Sequence, residues 1–201
     1  MTIPAWLRRW LSQPAPGPAR ESAYQVYLFD GHAERRQRGL TDEHVALFWR
    51  LLGGPLQKQV FHDGVIRTAD GLLALARDPK VHFYGVYLGT RPLGFAWVNE
   101  WTAGCATLHY APFPGSGGHV VKAGRELCRR LLTAQLDESQ YFLETLLAIT
   151  PETYTWARRL AKRIGFKSLG VVPNALDLVH ERRRVGAAVA YITKNELTNG
   201  G

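Results

Sequence analysis

The residues that point most directly to chemistry lie between 115 and 125, where a glycine-rich passage leads into a predicted helix. Gly115-Ser116-Gly117-Gly118 is followed by Lys122 and Arg125, two cations in the first turns of that helix. The start of a helix offers unpaired backbone N–H groups and the positive end of the helix dipole, both of which favour phosphate. We therefore interpret the passage as a flexible phosphate-side loop, and a plain connector is the alternative.

Other kinds of site are excluded or weakly supported. A dinucleotide-binding G-x-G-x-x-G motif would need glycine where Val120 stands, and a G-x-S-x-G nucleophile elbow would need one more residue before Ser116. The seven histidines are scattered, and the chain has neither a C-x-x-C nor an H-x-x-x-H pair, so we expect no metal.

The elements that position this passage begin with a second unit, Thr150 to Phe166. Thr150 is a typical helix N-cap, Pro151 suits a first helical position, and Gly165 ends the segment, so we predict a helix over 151–164. Strand-like runs lie on both sides, at 142–149 and 167–172. The apolar residues of the helix recur on one face at helical spacing: Trp156, Ala157, Leu160, Ala161 and Ile164.

Hydrophobic patterning predicts the remaining elements. We expect strands at Tyr24–Phe29, His82–Leu88, Leu93–Trp101, Cys105–Phe113 and 187–193. Helices are predicted from Thr41 to a stop at Gly53-Gly54, over about Ala69–Asp78, and after His119. The resulting order is β-α-α-β-β-β-α-β-α-β-β.

This order resembles the fold of the GNAT superfamily of N-acyltransferases. The run LHYAPFPGSGGHVVKAGREL, followed by TP, a helix and GF, is similar to divergent GNAT-like proteins of phages and prophages. The resemblance covers Tyr24 to Thr193. It implies an α/β (α+β) GNAT-like fold, with a mixed, mostly antiparallel central sheet of about seven strands flanked by about four helices. We expect one such domain over residues 23–201, preceded by an appendage and proline-rich linker over residues 1–22.

The resemblance also implies a site for acetyl-CoA or another acyl-CoA as co-substrate. In the family the pantetheine arm pairs with the strand before the central helix, and the pyrophosphate rests on the start of that helix. The family loop typically has Arg or Gln, then Gly, then Gly or Ala, where this chain has His119, Lys122 and Gly124. The cofactor-binding residues that it implies are Tyr110, Ala111, Phe113, His119, Val120, Lys122, Ala123, Gly124, Arg125, Thr150 and Tyr154.

Catalysis in such a family needs a base for the amine and an acid for the leaving thiolate. Glu100 and His109, on adjacent strands, are the candidate bases, and a hydrogen-bonded structural role is the alternative for each. In many family members a tyrosine acts as this acid at the position where this chain has Ala161. Tyr110, near the end of the central strand, is the candidate that replaces it.

The resemblance therefore predicts transfer of an acetyl or other acyl group from acyl-CoA to an amine acceptor. The alternative is a catalytically inactive GNAT-fold binding or assembly protein of phage or prophage origin. It would use a basic face on nucleic acid or on a protein. The absence of the family tyrosine and the altered loop motivate this alternative.

The composition of the chain limits the class of protein and the cellular compartment that we expect. The 201 residues, 46% of them hydrophobic, can fill a core, and the formal net charge of +8 favours anionic partners such as nucleic acid or coenzyme A. No apolar run approaches the ~18 residues that cross a bilayer. The start MTIPAWLRRWL is unlike a signal peptide. We expect a cytoplasmic protein with reduced Cys105 and Cys128 and no membrane partner. Self-association through Trp6, Leu7, Trp10 and Leu11 remains open.

Overall fold

The computed structural model describes residues 23–29, 39–134 and 142–198. Its strands are β1 (Tyr24–Leu28), β2 (His82–Leu88), β3 (Arg91–Thr102), β4 (Cys105–Pro112), β5 (Thr145–Pro151), β6 (Lys167–Leu178) and β7 (Arg183–Thr193). Its helices are α1 (Asp42–Leu52), α2 (Gly54–Val60), α3 (Ala69–Arg77), α4 (Val120–Leu132), α5 (Thr155–Ile164) and α6 (Lys194–Thr198). Short 3₁₀ turns lie at Gly117–His119 and Val179–Glu181.

The seven strands form one sheet in the order β1-β2-β3-β4-β5-β7-β6. Every neighbouring pair is antiparallel except β4 and β5, which are parallel. This confirms the predicted mixed, mostly antiparallel sheet. The described residues contain six helices rather than about four, because α2 and α6 are added to the predicted ones.

The two parallel strands separate soon after they meet. They pair at three positions: Cys105 with Thr145, Ala106 with Leu146, and Thr107 with Leu147. Beyond these, β4 continues beside β3 and β5 continues beside β7. The backbone edges of β4 and β5 that face each other are therefore free of strand pairing past Thr107 and Leu147, and an opening lies in the middle of the sheet.

Hydrophobic cores cover both faces of the sheet. On one face, α4 buries Leu127, Leu131 and Leu132 against the sheet. On the other, α1 and α3 cover an aromatic cluster in which the fully buried Phe48 stacks on Phe95, with ring centroids 6.0 Å apart. Apolar residues at helical spacing on α1 and α4 build these faces, as predicted from the sequence.

The helix predicted over 151–164 begins later than expected. Thr150 and Pro151 end β5, where they pair with Ala188 and Ala187 of β7, and the helix starts at Thr155 after a turn. Pro151 is tolerated because the N–H of the next residue, Glu152, donates to Gly186 on the β7 side, so the missing donor of Pro151 faces the side from which β4 has separated. The N-cap role assigned to Thr150 is therefore wrong, and Tyr154 holds the N-cap position. The predicted stop is confirmed: Gly165, at φ 129°, ends α5.

Other boundaries differ where glycine or an irregular register hides the pattern. Gly53 ends α1 as predicted, but a new helix, α2, begins directly at Gly54. β6 extends to Leu178 and β7 begins at Arg183, beyond the predicted ends, because two register shifts interrupt their alternation. Both cysteines are free thiols, as expected. The predicted appendage at residues 1–22 lies outside the described residues, and the predicted domain boundary stays a prediction.

No helix in the described part of the chain is long and apolar enough to span a bilayer.

Candidate active site

A cavity of about 320 Å³ lies where β4 and β5 separate. Residues from both faces of the sheet line it, so it passes through the sheet. We call the side covered by α4 and α5 the helix wall; it comprises Tyr110, Gly124, Leu127, Cys128, Ala157, Leu160, Ala161 and Ile164. We call the opposite side the polar wall; it comprises His62, Asp63, Trp97, Glu100, Thr107 and His109.

The helix wall depends on a close approach of α4 to α5. Gly124 on α4 has no side chain, and a Cβ there would lie 2.5 Å from Ile164 Cδ1 and 3.2 Å from Tyr110 Cε1. Only glycine fits this contact without displacing a neighbour. The apolar face predicted for α5 lines the cavity from Trp156 to Ile164 instead of being fully buried in a core.

Tyr110 and Cys128 are the two titratable groups of the helix wall. The Tyr110 hydroxyl donates to the Val120 carbonyl oxygen at 3.4 Å, and burial raises the pKa of this phenol well above its usual range. Burial also raises the pKa of the Cys128 thiol to about 12. Both groups are therefore protonated at neutral pH, so Tyr110 can act as a hydrogen-bond donor and Cys128 is a poor nucleophile.

His109 is the centre of the polar wall. Its Nε2–H donates to Asn99 Oδ1 at 3.0 Å, because an amide oxygen can only accept. The ring stacks on Trp97 with centroids 4.5 Å apart and planes 2° from parallel. Nδ1 therefore carries the free lone pair of the imidazole, and the ring is fixed on both its face and its edge.

Burial lowers the pKa of His109 to about 4, and the nearby carboxylates of Glu100 and Asp63 only partly oppose this effect. The imidazole is thus neutral at physiological pH. The lone pair of this neutral imidazole can accept a hydrogen bond from an amine and orient it.

Glu100 lies beside His109 at an irregular point of β3. The register between β3 and β4 shifts between Asn99 and Thr102, and Glu100 adopts a positive φ of 53°. A non-glycine residue in this conformation is held there by its surroundings. The buried Thr107 hydroxyl donates to Glu100 Oε2 at 2.8 Å and fixes the carboxylate at the cavity.

A second set of predicted residues lies at the start of α4. The preceding loop is anchored to β3, because the buried Ser116 hydroxyl donates to the Leu93 carbonyl at 2.8 Å and Arg91 donates to the Gly115 carbonyl at 2.9 Å. No side chain caps the first amides of α4. His119, at the N-cap position, contacts the Tyr24 hydroxyl through Nδ1 at 3.0 Å.

The two cations of α4 differ in their surroundings. Lys122 is exposed in the first turn. Arg125 donates to the carbonyl oxygens of Ile164 and Arg163, at 3.2 and 3.1 Å, and so ties α4 to the end of α5.

The structure divides the predicted site residues into groups. Six of them line the cavity: Glu100, His109, Tyr110, Gly124, Thr150 and Tyr154. His119, Val120, Lys122, Ala123 and Arg125 lie at the start of α4, outside the cavity lining. Ala111 and Phe113 are buried in the core on the α1 side, and the Phe113 N–H donates to Leu93 on β3 at 2.9 Å.

Four residues of the polar wall were missed from the sequence. His62 and Asp63 follow α2, a helix that begins at Gly54-Pro55, where the sequence signals a break. Trp97 and Thr107 were predicted only as strand residues. In the structure Trp97 pairs with His109, and Thr107 pairs with Asn99, on the neighbouring strands, and this register was not predicted from the sequence.

Among the described residues, no group of three or more His, Cys, Asp or Glu side chains is placed to hold a metal ion.

Comparisons with proteins of known structure show what this fold resembles. Spermidine N-acetyltransferase from Vibrio cholerae, solved with CoA and spermine, aligns with a TM-score of 0.64 at 13% identity, over 89% of this chain and 100% of that one. A probable acetyltransferase (GNAT family) from Chromobacterium violaceum aligns with a TM-score of 0.65 at 19% identity, over 93% and 91%. The ribosomal-protein-S5-alanine acetyltransferase from Vibrio fischeri gives 0.58 at 12%, over 88% and 96%.

No protein-family model matches the sequence. No curated protein matches it either. At these low identities the structural likeness establishes the fold, which is the one predicted from the sequence: that of the GNAT acetyltransferases.

Proposed function

We propose that this protein is an N-acyltransferase that passes an acetyl group from acetyl-CoA to an amine. The observation that carries the proposal is the separation of β4 from β5 after Thr107 and Leu147, which leaves free backbone edges around a cavity open to both faces of the sheet. Two reactants can then enter from opposite faces and meet inside the sheet. A neighbour with the same fold was solved with CoA and an amine, spermine.

The helix wall suits the acyl-CoA. Its apolar residues would contact the pantetheine arm, while the free backbone groups of β4 beyond Thr107 would pair with the amides of that arm. The Val120 N–H already donates to the Gly117 carbonyl, so the exposed amides of Gly117 and Gly118 in the preceding 3₁₀ turn, together with the exposed Lys122, would bind the pyrophosphate. Pro112 removes one donor from β4, so pairing falls on the residues before it.

The polar wall suits the amine. The Glu100 carboxylate accepts a proton from the amine, and the lone pair on His109 Nδ1 orients the amine. The amine nitrogen then forms a bond to the acyl carbon as the carbon–sulfur bond breaks, and the departing thiolate takes a proton from the Tyr110 hydroxyl. The acylated nitrogen then gives its second proton to the Tyr110 oxygen, and Glu100 releases the first proton to solvent, which restores the site.

Transfer is direct in this account. Cys128 is the one cysteine that lines the cavity, and its raised pKa leaves it a neutral thiol. An acyl-cysteine intermediate needs a thiolate, which this apolar environment disfavours.

An acetyl-transfer assay tests the proposal. Purified protein is mixed with acetyl-CoA and a panel of monoamines, diamines, amino acids and peptides, and release of the CoA thiol is followed. The proposal expects thiol release that depends on an amine, together with an acetylated amine of the correct mass. If the protein binds acetyl-CoA but acetylates no amine of the panel, this result would contradict the proposed acetyl transfer.

The second candidate is a non-catalytic binding protein, and the exposed basic face of α5 favours it. Arg159, Lys162 and Arg163 are exposed on this helix, and Ala161 occupies the position of the family tyrosine. This candidate expects binding to a generic DNA duplex that weakens steeply between low and moderate salt. Absence of binding at low salt would exclude it. For either candidate, we also propose a phage or prophage origin and a cytoplasmic location.

A further inference from the structure

The cavity carries a charge opposite to that of the chain. The sequence has 25 Lys and Arg residues against 17 Asp and Glu, for a formal net charge of +8. The described residues that line the cavity nevertheless include two carboxylates, Asp63 and Glu100, and neither lysine nor arginine. An anionic polar wall in a cationic protein concentrates positively charged ligands at that wall.

These two carboxylates also differ in their surroundings from the ion-paired carboxylates of the described residues. Five acidic residues, Asp42, Asp177, Glu126, Glu181 and Glu196, form ion pairs with Arg or Lys. In the described part of the chain, Asp63 and Glu100 receive only neutral donors. The Val65 N–H donates to Asp63 Oδ1 at 3.1 Å, and the Thr107 hydroxyl donates to Glu100 Oε2 at 2.8 Å. Both residues are exposed at the cavity, so their charge is accessible to a ligand.

The two charges act on the same space. Both Glu100 and Asp63 raise the pKa of His109 against the effect of burial, so both carboxylates lie within electrostatic reach of this imidazole. They come from different parts of the chain: Asp63 follows α2, and Glu100 lies on β3. The cavity can therefore present one carboxylate to each of two positive groups on one ligand.

Aromatic rings supply the remaining surface. Trp97 stacks on His109, and Tyr154 meets the His62 ring edge-on at 6.4 Å. The His62 Nδ1–H donates to the Asp177 carbonyl at 3.1 Å, which fixes that ring. Ring faces attract ammonium groups and also pack against methylene chains.

We propose that the acceptor is an aliphatic amine with two or more positive charges, whose reacting amine lies at Glu100 and whose second ammonium group is bound by Asp63. This inference rests on the proposed acetyl transfer and names its substrate class. Zwitterionic amino acids would bring a carboxylate close to Asp63 or Glu100 and be repelled. A monoamine would react at Glu100 but lose the contact with Asp63.

The test compares 1,4-diaminobutane with butylamine, which has the same carbon chain and a single amine. Wild-type protein should prefer the diamine in kcat/KM. Asp63→Asn, which removes the charge and keeps the shape, should raise KM for the diamine by about tenfold, equivalent to about 1.4 kcal/mol. The same change should raise the KM for butylamine much less, because a monoamine has no second ammonium group at Asp63.

Asp70→Asn is the matched control. It removes the same charge from an exposed position on α3, outside the cavity lining, and should leave both substrates unaffected. Thermal unfolding of each variant confirms that the fold is retained. An Asp63→Asn protein with unchanged KM for the diamine, or one that weakens both amines equally, would overturn the inference.

Two further measurements separate this inference from the proposed function. Acetyl-CoA binding and acetylation of butylamine test the transferase activity without any need for Asp63. Calorimetric binding of 1,4-diaminobutane to the protein alone tests the dication site without any need for turnover. Binding that Asp63→Asn removes supports the site even if acetyl-CoA fails to bind, whereas no binding to the wild-type protein overturns it.

Discussion

The helix wall and the polar wall of the cavity are built on different principles. The helix wall consists of apolar residues that recur at helical spacing on α4 and α5, and glycine at 124 lets these helices approach closely. The polar wall consists of single residues from a strand irregularity, a loop and two strands. Regular structure shapes the wall that would hold the invariant coenzyme, while irregular structure shapes the wall that would select the acceptor.

The two walls also differ in their effect on stability. Close packing of the helix wall stabilises the fold through buried apolar contacts. The polar wall is less favourable, because Glu100 has a positive φ, and in acid the buried His109 resists the charge that it would take in the unfolded chain. Strain and desolvation on one side of a cavity are typical of a site where function limits stability.

Loss of the Glu100 carboxylate should have the largest effect on activity. It tests whether the proton transfer takes place at the polar wall. We expect Glu100→Gln to lower kcat by about 10²–10⁴-fold, the usual contribution of a positioned base. Acetyl-CoA affinity should be unchanged, because the helix wall is untouched. Steady-state kinetics and calorimetry on the same preparation check both values. A variant with normal kcat would assign the proton transfer to another group.

The buried histidines should make the protein less stable in acid. His82 and His109 both have pKa values lowered by burial to about 4, below the usual 6.5. The unfolded chain therefore binds more protons than the folded one between these values. The contribution of these histidines to the free energy of unfolding is fully present above about pH 6.5. It is lost as the pH drops toward 4, by roughly 3 kcal/mol for each histidine. Urea unfolding at several pH values measures this slope.

His109→Gln separates the contribution of the polar wall from that of His82. Glutamine can still donate to Asn99 but does not titrate, so the slope between pH 6.5 and 4 should become shallower by about half. If the slope of the variant equals that of the wild-type protein, His109 is not buried in its neutral form, and the description of the polar wall is wrong.

Gly124→Ala tests the close packing of the helix wall. Its Cβ would collide with Ile164, so we expect a loss of about 1–3 kcal/mol in unfolding free energy and weaker acetyl-CoA binding. Adding Ile164→Val removes Cδ1, the nearer of the two Ile164 atoms that the Cβ would meet, and should restore part of both losses. If Gly124→Ala alone is fully stable and binds normally, the helix wall is looser than described.

Thr107→Val should have the smallest effect and tests the support of Glu100. The change keeps the shape of a buried side chain but removes the hydroxyl that donates to the carboxylate. A hydrogen bond to a charged group contributes about 1.5–3 kcal/mol, and only part of this should appear in kcat. Thr107→Ser keeps the donor and should retain activity. Equal activity of the valine and serine variants would show that Glu100 needs no such support.

Most of the fold could be predicted because its signals are periodic. The apolar residues of α1 and α4 recur at helical spacing, and those of β2 and β3 form strand-like runs with a turn between them. Where signals conflict, the sequence misled. Thr150-Pro151 carries a helix-start signal, yet pairing with β7 holds both residues in β5. Gly54-Pro55 resembles a break but begins α2.

The site was predictable only where it follows these patterns. The position of Glu100, His109 and Tyr110 near one another could be inferred because they lie on adjacent predicted strands, and their catalytic roles stay a prediction. The position of Asp63 could not be inferred, because it follows an unpredicted helix and lines the same cavity as Glu100 only through the tertiary fold. The engagement of Arg125 with the end of α5 was equally hidden, since it depends on the packing of two helices.

Calorimetric titration of the folded protein with acetyl-CoA tests the central claim most directly, with ATP as a control for nonspecific phosphate binding. The helix wall and the start of α4 predict saturable binding of acetyl-CoA that ATP does not reproduce. Absence of acetyl-CoA binding, or equal binding of ATP, would contradict the claim that the opening between β4 and β5 is an acyl-CoA site.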